Sequence, residues 1–356
     1  MPEMTMLDHY LAESGPAALV LRDELVPVEG PDGVFFPPTY AKGDDFPGGY
    51  NIDASGTAGN VCLVDSVGSQ ANRIEPMFGR EPYSKLVPQI AVRAGEKTVN
   101  LLEAGHRAGD AIVRCSSLQK ELHDAFVALL KGDAAPLASV APTSLVFGVW
   151  DSRDTQAKAP RLLASTIRAY DVRRLTRSAQ YVPAVEYVKD GVLDEPLEKA
   201  TRDAYAERGF VHVPASGSHG GVIAAGGIRR EATFSLAALR LLSAGQDAER
   251  TKLLRRYVLG LGLTAFTSNV SGYLRQGCNL VLDASKAQAR RVEEVYPDGD
   301  RKPLTLSHGA ALEYAAETAK AFGLGPSRTV DFDKEAAKKD IAGDSEKKGK
   351  AKKAKS

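Results

Sequence analysis

The stretch Asp65-Ser66-Val67-Gly68-Ser69-Gln70-Ala71-Asn72-Arg73-Ile74-Glu75 combines short hydrogen-bonding side chains with a single guanidinium. Val67, Ala71 and Ile74 stand at i, i+4 and i+7, the apolar stripe of a helix. Ser66, Gln70 and Arg73 repeat that spacing on another face, with Ser69 and Asn72 beside them. Asp65 or Ser66 can cap the start, and Pro76 should stop the helix near Glu75. Free N–H groups and the dipole at such a start favour negative charge, which suits a phosphate backbone. The same groups would equally serve to satisfy neighbouring loop backbone.

Arginine is concentrated again further on, where Arg161, Arg168, Arg173, Arg174 and Arg177 stand against one acid, Asp171. Read as a strand, this segment puts Arg168 and Tyr170 on one face, an arrangement that grips phosphate and stacks a base. A solvated set of ion pairs is the alternative. The only tryptophan, Trp150, ends the apolar run SLVFGVW and precedes Asp151-Ser152-Arg153. It suits a boundary anchor or a stacking platform. The glycine-rich stretch 217–227 lets backbone approach a phosphate, with Arg229 and Arg230 at its exit. It lacks the Gly-Lys-Ser/Thr of a P-loop, and no G-x-G-x-x-G occurs. His219 within it is a candidate general base that nothing nearby in sequence orients.

No catalytic constellation assembles. There is no G-x-S-x-G, and the six histidines have no H-E-x-x-H or C-x-x-C company, so neither a metal nor a cofactor is expected. Cys62, Cys115 and Cys278 lie far apart and read as reduced core residues of a cytoplasmic protein. No apolar run approaches the roughly 20 residues of a membrane span, and the N-terminal residues lack the basic start of a signal peptide. Net charge is +1, yet Asp333–Ser356 holds nine Lys and five acids, leaving 37 basic and 40 acidic residues in 1–332. Residues 1–332 are therefore not generically basic, and any contact with nucleic acid must be local. The Lys-rich segment 333–356 has the composition of a disordered tail.

These groups need elements to position them. Ala17–Val28 and Val61–Val64 read as strands, 31–60 as a long irregular insertion, and Ile90–Leu102 as a hairpin. Ser116–Leu130 is helical, Ser144–Trp150 a buried strand, Arg161–Val172 a strand, and Leu197–Gly209 a charged helix. A flexible Gly-rich segment then spans 211–227, followed by a strand and helix over 228–242 and helices in 250–261 and 309–322. Strands and helices mix without a βαβ cadence, which predicts an α+β fold.

SVGSQANRIE (66–75), FGVWDS (147–152), RAYDVRR (168–174) and GGIRREATFSLAALRLL (226–242), in that order, resemble a CRISPR-associated RAMP backbone subunit. The similarity is to the type I-G (formerly I-U) branch of the Cas7 superfamily and covers roughly residues 15–325. It implies a modified RRM (ferredoxin-like) palm over 1–332, with finger and thumb insertions at about 31–60 and about 185–230. It further implies a non-catalytic crRNA-binding subunit whose copies line one guide as a Cascade filament. Target DNA, other Cascade subunits and a recruited helicase-nuclease would be its partners. On this resemblance Ser66, Ser69, Gln70, Asn72 and Arg73 contact the sugar-phosphate chain at a helix start. Trp150, Ser152 and Arg153 contact RNA or the next subunit. Arg168, Arg173 and Arg174 extend the track, and His219, Arg229 and Arg230 belong to a thumb or finger. The competing expectation is an RNA endonuclease that processes guide RNA or cleaves target RNA through His219 or an Asp.

Overall fold

The computed structural model describes residues 7–54, 59–269 and 272–342, with 215–218 described by backbone only. In chain order the main elements are β1 (Ala18–Pro27), β2 (Asn60–Asp65), α1 (Val67–Ile74), α2 (Gln119–Leu130) and β3 (Leu163–Tyr170). They continue with β4 (Val172–Tyr181), α3 (Lys199–Glu207), β5 (Val213–Ala224), β6 (Ile228–Ser235), α4 (Ala248–Thr267), β7 (Cys278–Leu282), β8 (Arg290–Val295) and α5 (His308–Phe322). The fold is mixed α+β around a curled antiparallel sheet.

That sheet runs β7–β1–β6–β3–β2, and β8 pairs with β1 beside β7. Every neighbouring pair is antiparallel, so β1 and β3 run the same way on either side of β6. Taking β1, β3, β6 and the β7/β8 edge alone, the spatial order is fourth, first, third, second. The helices of 67–147 connect the first of these strands to the second, and α4 connects the third to the last.

Period-two alternation sets the faces. In β1, Leu19, Leu21, Asp23 and Leu25 are buried, while Val20, Arg22, Glu24 and Val26 are half-buried on the other side. Two apolar clusters lie against the buried face. The larger includes Leu19, Leu21, Leu163, Ala232 and Phe234 with α4 and α5. The smaller gathers Leu25, Ile167, Ala169, Ile228, Cys62, Val64 and Leu280. Between them stands one polar row containing Asp23, Ser165 and Arg230.

Helix α4 passes between the sheet and α5 and is buried almost continuously from Leu254 to Phe266. Two glycines permit this passage. A Cβ at Gly260 would stand 2.8 Å from the Ala315 backbone of α5, and one at Gly262 would stand 2.2 Å from the Phe234 ring of β6.

The hairpin forms as Ile90–Ala94 and Lys97–Asn100, with Arg328–Asp331 added in parallel. Two expectations need correction. Thr143–Phe147 is helical rather than extended, and only Val149–Trp150 is a strand, because a short run buried on all sides carries no period. Gly148, at φ +80°, separates the two. The stretch 211–227, expected as a flexible loop, is largely β5, which pairs with β4 as a two-stranded ribbon. The excursion from the sheet thus begins at 172 rather than near 185, and it carries α3, which buries no residue. The insertion 31–60 holds short strands and two buried rings, Phe35 and Tyr50; Phe35 bridges Val222 and Tyr50 bonds Gly221 at the ribbon base.

Past Phe332, where composition predicts disorder, residues 334–342 are helical; Asp333 caps them, and Arg114 pairs with Asp340 at 2.9 Å. Residues 343–356 lie outside the described residues. All three cysteines are buried and unpaired. No helix among the described residues is long and apolar enough to cross a membrane.

Gly262→Ala is expected to destabilise the fold by about 1–3 kcal/mol through overpacking against Phe234. Urea unfolding checks this as a lower midpoint at unchanged slope.

Candidate nucleic-acid interface

Ser66 caps α1 from extended backbone, and its Oγ accepts from Ser69 N–H at 3.2 Å and donates to Ser69 Oγ at 3.1 Å. These half-buried hydroxyls therefore close the helix start together. The residue before them, Asp65, is fully buried. Its Oδ2 accepts from Gln70 Nε2 at 2.7 Å and from Arg73 Nε at 3.0 Å, and its Oδ1 accepts from Arg275 Nη2 at 3.0 Å. Arg275 also bonds the Val64 carbonyl at 3.0 Å.

From Gln70 the bonding continues across the sheet. Ser165 Oγ donates to Gln70 Oε1 at 2.8 Å and accepts from Arg230 Nε at 3.1 Å. Arg230 Nη1 reaches Asp23 Oδ2 at 3.5 Å, and Arg290 grips Asp23 through Nε and Nη2 at 2.7 and 3.0 Å. Strand register puts Asp65, Ile167, Arg230, Asp23 and Arg290 on one line across β2, β3, β6, β1 and β8. Burial lowers the pKa of the Arg230 guanidinium, and Asp23 works against that shift.

Gln70 and Arg230 are thus interior residues, 0% and 4% exposed. The sequence reading puts both on a ligand face, and burial corrects this: they hold other groups in place. Arg73 differs, since Asp65 takes its Nε while the side chain remains 32% exposed. Asn72 is exposed, and its Oδ1 accepts from Arg107 Nη2 at 3.2 Å. Arg107 is buried at φ +53°, with Nε 2.5 Å from Glu75 and Nη1 on the Gly148 carbonyl at 3.3 Å. Burial pushes the Glu75 carboxyl up to about 7 against the pull of Arg107.

Arg107 thereby links α1 to the loop that carries the next candidates. Trp150 is 53% exposed, with Lys158 Nζ 4.2 Å from its ring centroid. Ser152 is half-buried and Arg153 exposed on a turn held by Asp151, whose carboxylate accepts from Thr155 N and Oγ1 at 2.8 and 2.6 Å.

On the other face of the sheet, Arg168 and Tyr170 share a side as the strand parity predicts. Arg168 stands opposite Arg229 and donates to Thr166 Oγ1 at 2.7 Å. The Arg229 guanidinium lies 4.5 Å from the Tyr170 ring centroid and 3.4 Å from Glu24. Arg173 and Arg174 follow on β4, both exposed and without an ion pair among the described residues. His219, on β5, packs its ring 4.8 Å from that of Tyr50, and Gly49 leaves it room.

The structure therefore forms two groups, one around α1 and the Trp150 loop, the other along β3, β6 and the ribbon. Sequence reasoning missed Asp23, Asp65 as a hub, Arg107 and Arg275. The alternation in LVLRDELV carries the signal for Asp23, an acid at an apolar parity. Among the described residues no group of His, Cys, Asp or Glu is arranged to hold a metal.

Asp23→Ala, which strands Arg230 in the interior, should cost about 3–5 kcal/mol. Replacing Asp23 and Arg230 together by apolar residues should recover much of that loss in a double-mutant unfolding cycle.

No curated protein matches the chain. Residues 19–174 match the model of a family described as CRISPR-associated protein GSU0053. That stretch contains β1, α1, the Trp150 loop, β3 and the first arginines of the ribbon. Over these residues the chain is similar to a CRISPR-associated protein, which supports a role in CRISPR defence.

Proposed function

We propose that the protein is a non-catalytic crRNA-binding subunit of the Cas7 superfamily, of the type I-G branch. Copies of it polymerise along the guide spacer as the backbone of a Cascade complex. The bound guide then pairs with target DNA, and other Cascade subunits and a recruited helicase-nuclease complete the defence. The observation that carries this reading is the arginine track that passes from the sheet onto the ribbon. Arg229 over Tyr170 and Arg168 begin it, and the ribbon strand carries Arg173 and Arg174 onward, one on each of its faces, without ion partners among the described residues. Arg173 and Arg174 are available to phosphate, whereas Arg22 is held by Glu231 at 2.7 Å and Arg229 by Glu24 at 3.4 Å.

The strand order of β7/β8, β1, β6 and β3 supports an RRM-like palm, since it is that of a split βαβ fold. On this reading the ribbon of 172–224 and the insertion of 31–60 serve as the thumb and finger segments. The match to a CRISPR-associated family over 19–174 supports the biological setting. A net negative charge over 1–332 favours binding confined to one track over general affinity for RNA.

Expressed with a CRISPR array, the protein should elute as a large assembly that carries RNA of uniform length. A monomer free of RNA would overturn the proposal. Arg173→Ala and Arg174→Ala should each weaken RNA loading and reduce the salt slope by about one contact. Guide or target cleavage that disappears in His219→Ala would replace this reading with the endonuclease one.

A further inference from the structure

A cleft of about 620 Å3 opens beside the C-terminal half of α1. Its walls come from α1, the turn Tyr83–Leu86, the C-terminal end of α4 and the first turn of α5. Arg73, Arg80, Tyr83, Asn269, Tyr273 and His308 face it, and no Asp or Glu among the described residues lines it. Its volume lies within the range of small-ligand sites, about 300–1,000 Å3.

The two cations differ in kind. Arg73 is fixed by Asp65 at 3.0 Å, whereas Arg80 is exposed with no ion pair among the described residues. The aromatic wall is fixed as well. Tyr83 OH lies 2.7 Å from His308 Nε2, and His308 Nδ1 lies 2.9 Å from Thr267 Oγ1. Burial lowers the His308 pKa. A neutral imidazole offers one donor and one acceptor, and two hydroxyls can match either tautomer. The ring thus ties the turn, α4 and α5 together and holds Tyr83 at the wall. Tyr273, 59% exposed, stands at the rim.

Two guanidiniums alone describe a site for any anion. Two tyrosine rings and the Asn72 and Asn269 amides beside them ask for a planar, hydrogen-bonding body attached to that anion. We propose that the cleft is a single-nucleotide pocket. The phosphate sits on Arg73 and Arg80, the base lies against the tyrosines, and the amides meet its edge. The nucleotide is free or one unit of a bound strand; only the second case rests on the RNA-binding reading above.

The test uses the full chain, freed of RNA, with 5′-AMP, ribose 5-phosphate and inorganic phosphate as separate probes in calorimetry. AMP should bind more tightly than either other probe. Arg80→Ala, on an exposed residue with no ion pair among the described residues, should weaken AMP and ribose 5-phosphate alike by about tenfold, the loss of a charge-assisted contact. Tyr273→Ala should weaken AMP alone, and Tyr273→Phe should restore it.

Equal binding of AMP and inorganic phosphate, or no binding of AMP by the unaltered protein, overturns the pocket. The RNA-loaded assembly provides the second arm. If it forms, and neither Arg80→Ala nor Tyr273→Ala changes AMP affinity, the pocket falls while the RNA reading stands. If AMP binding depends on Arg80 and no RNA is ever carried, the pocket stands with a free nucleotide as ligand, and the RNA reading falls.

Discussion

Two buried carboxylates, each shared by two guanidiniums, organise this molecule. Asp65 lies between Arg73 and Arg275, and Asp23 lies between Arg230 and Arg290. Gln70 and Ser165 join the two halves. Taking such charges out of water is costly, and the cost is offset only when each charge finds several partners of good geometry. Here each carboxylate does. The row also divides the interior, with the larger apolar cluster on one side of it and the smaller on the other. A one-residue slip of β1 against β6 would send Asp23 and Arg230 to opposite faces, so the row enforces a single register. Because Gln70 and Arg73 belong to α1, the same row sets the position of that helix on the sheet.

Much of the architecture was legible in the sequence, for reasons that also explain what was not. The alternation in β1, the helical spacing in α1 and the parity of Arg168 with Tyr170 all carry a clear period, and the structure follows them. SLVFGVW carries none, since it is apolar throughout, and its helical half was not readable. The glycines of 217–227 suggest a loop, but their pairing partners in β4 lie 41 to 52 residues upstream and leave no local mark.

The candidate site divides in the same way. The polar face of α1 is recognisable as polar, yet one side chain in it, Gln70, turns toward the sheet, and spacing along an eight-residue helix does not say which. At Arg230 the strand parity carries the answer. Neighbours on a strand point to opposite sides, so Arg229 and Arg230 cannot share a ligand face, and Ile228, Ala232 and Phe234 mark the parity of Arg230 as interior. Arg107 and Arg275 meet their partners only through tertiary contacts, and nothing near them in sequence announces it.

The attachment of the ribbon has a consequence for how such a chain can vary. β3 pairs with β6 down to Ala169 and Ile228; Tyr170 exchanges backbone bonds with Gly226 and Gly227, and Val172 pairs with Ala224. The arm is therefore a continuation of one strand pair past the edge of the domain, and its two roots are held side by side whatever its length. A tight turn from Tyr170 to Ile228 would leave the register of all the other strands intact. The domain can accordingly exchange or resize this arm as a unit, as insertions are tolerated where chain ends lie adjacent. The family match stops at residue 174, three residues into the arm. β6, β7 and β8 lie outside that match as well, so it does not single out the arm; a change confined to the arm would alter what the protein reaches while the sheet stays as it is.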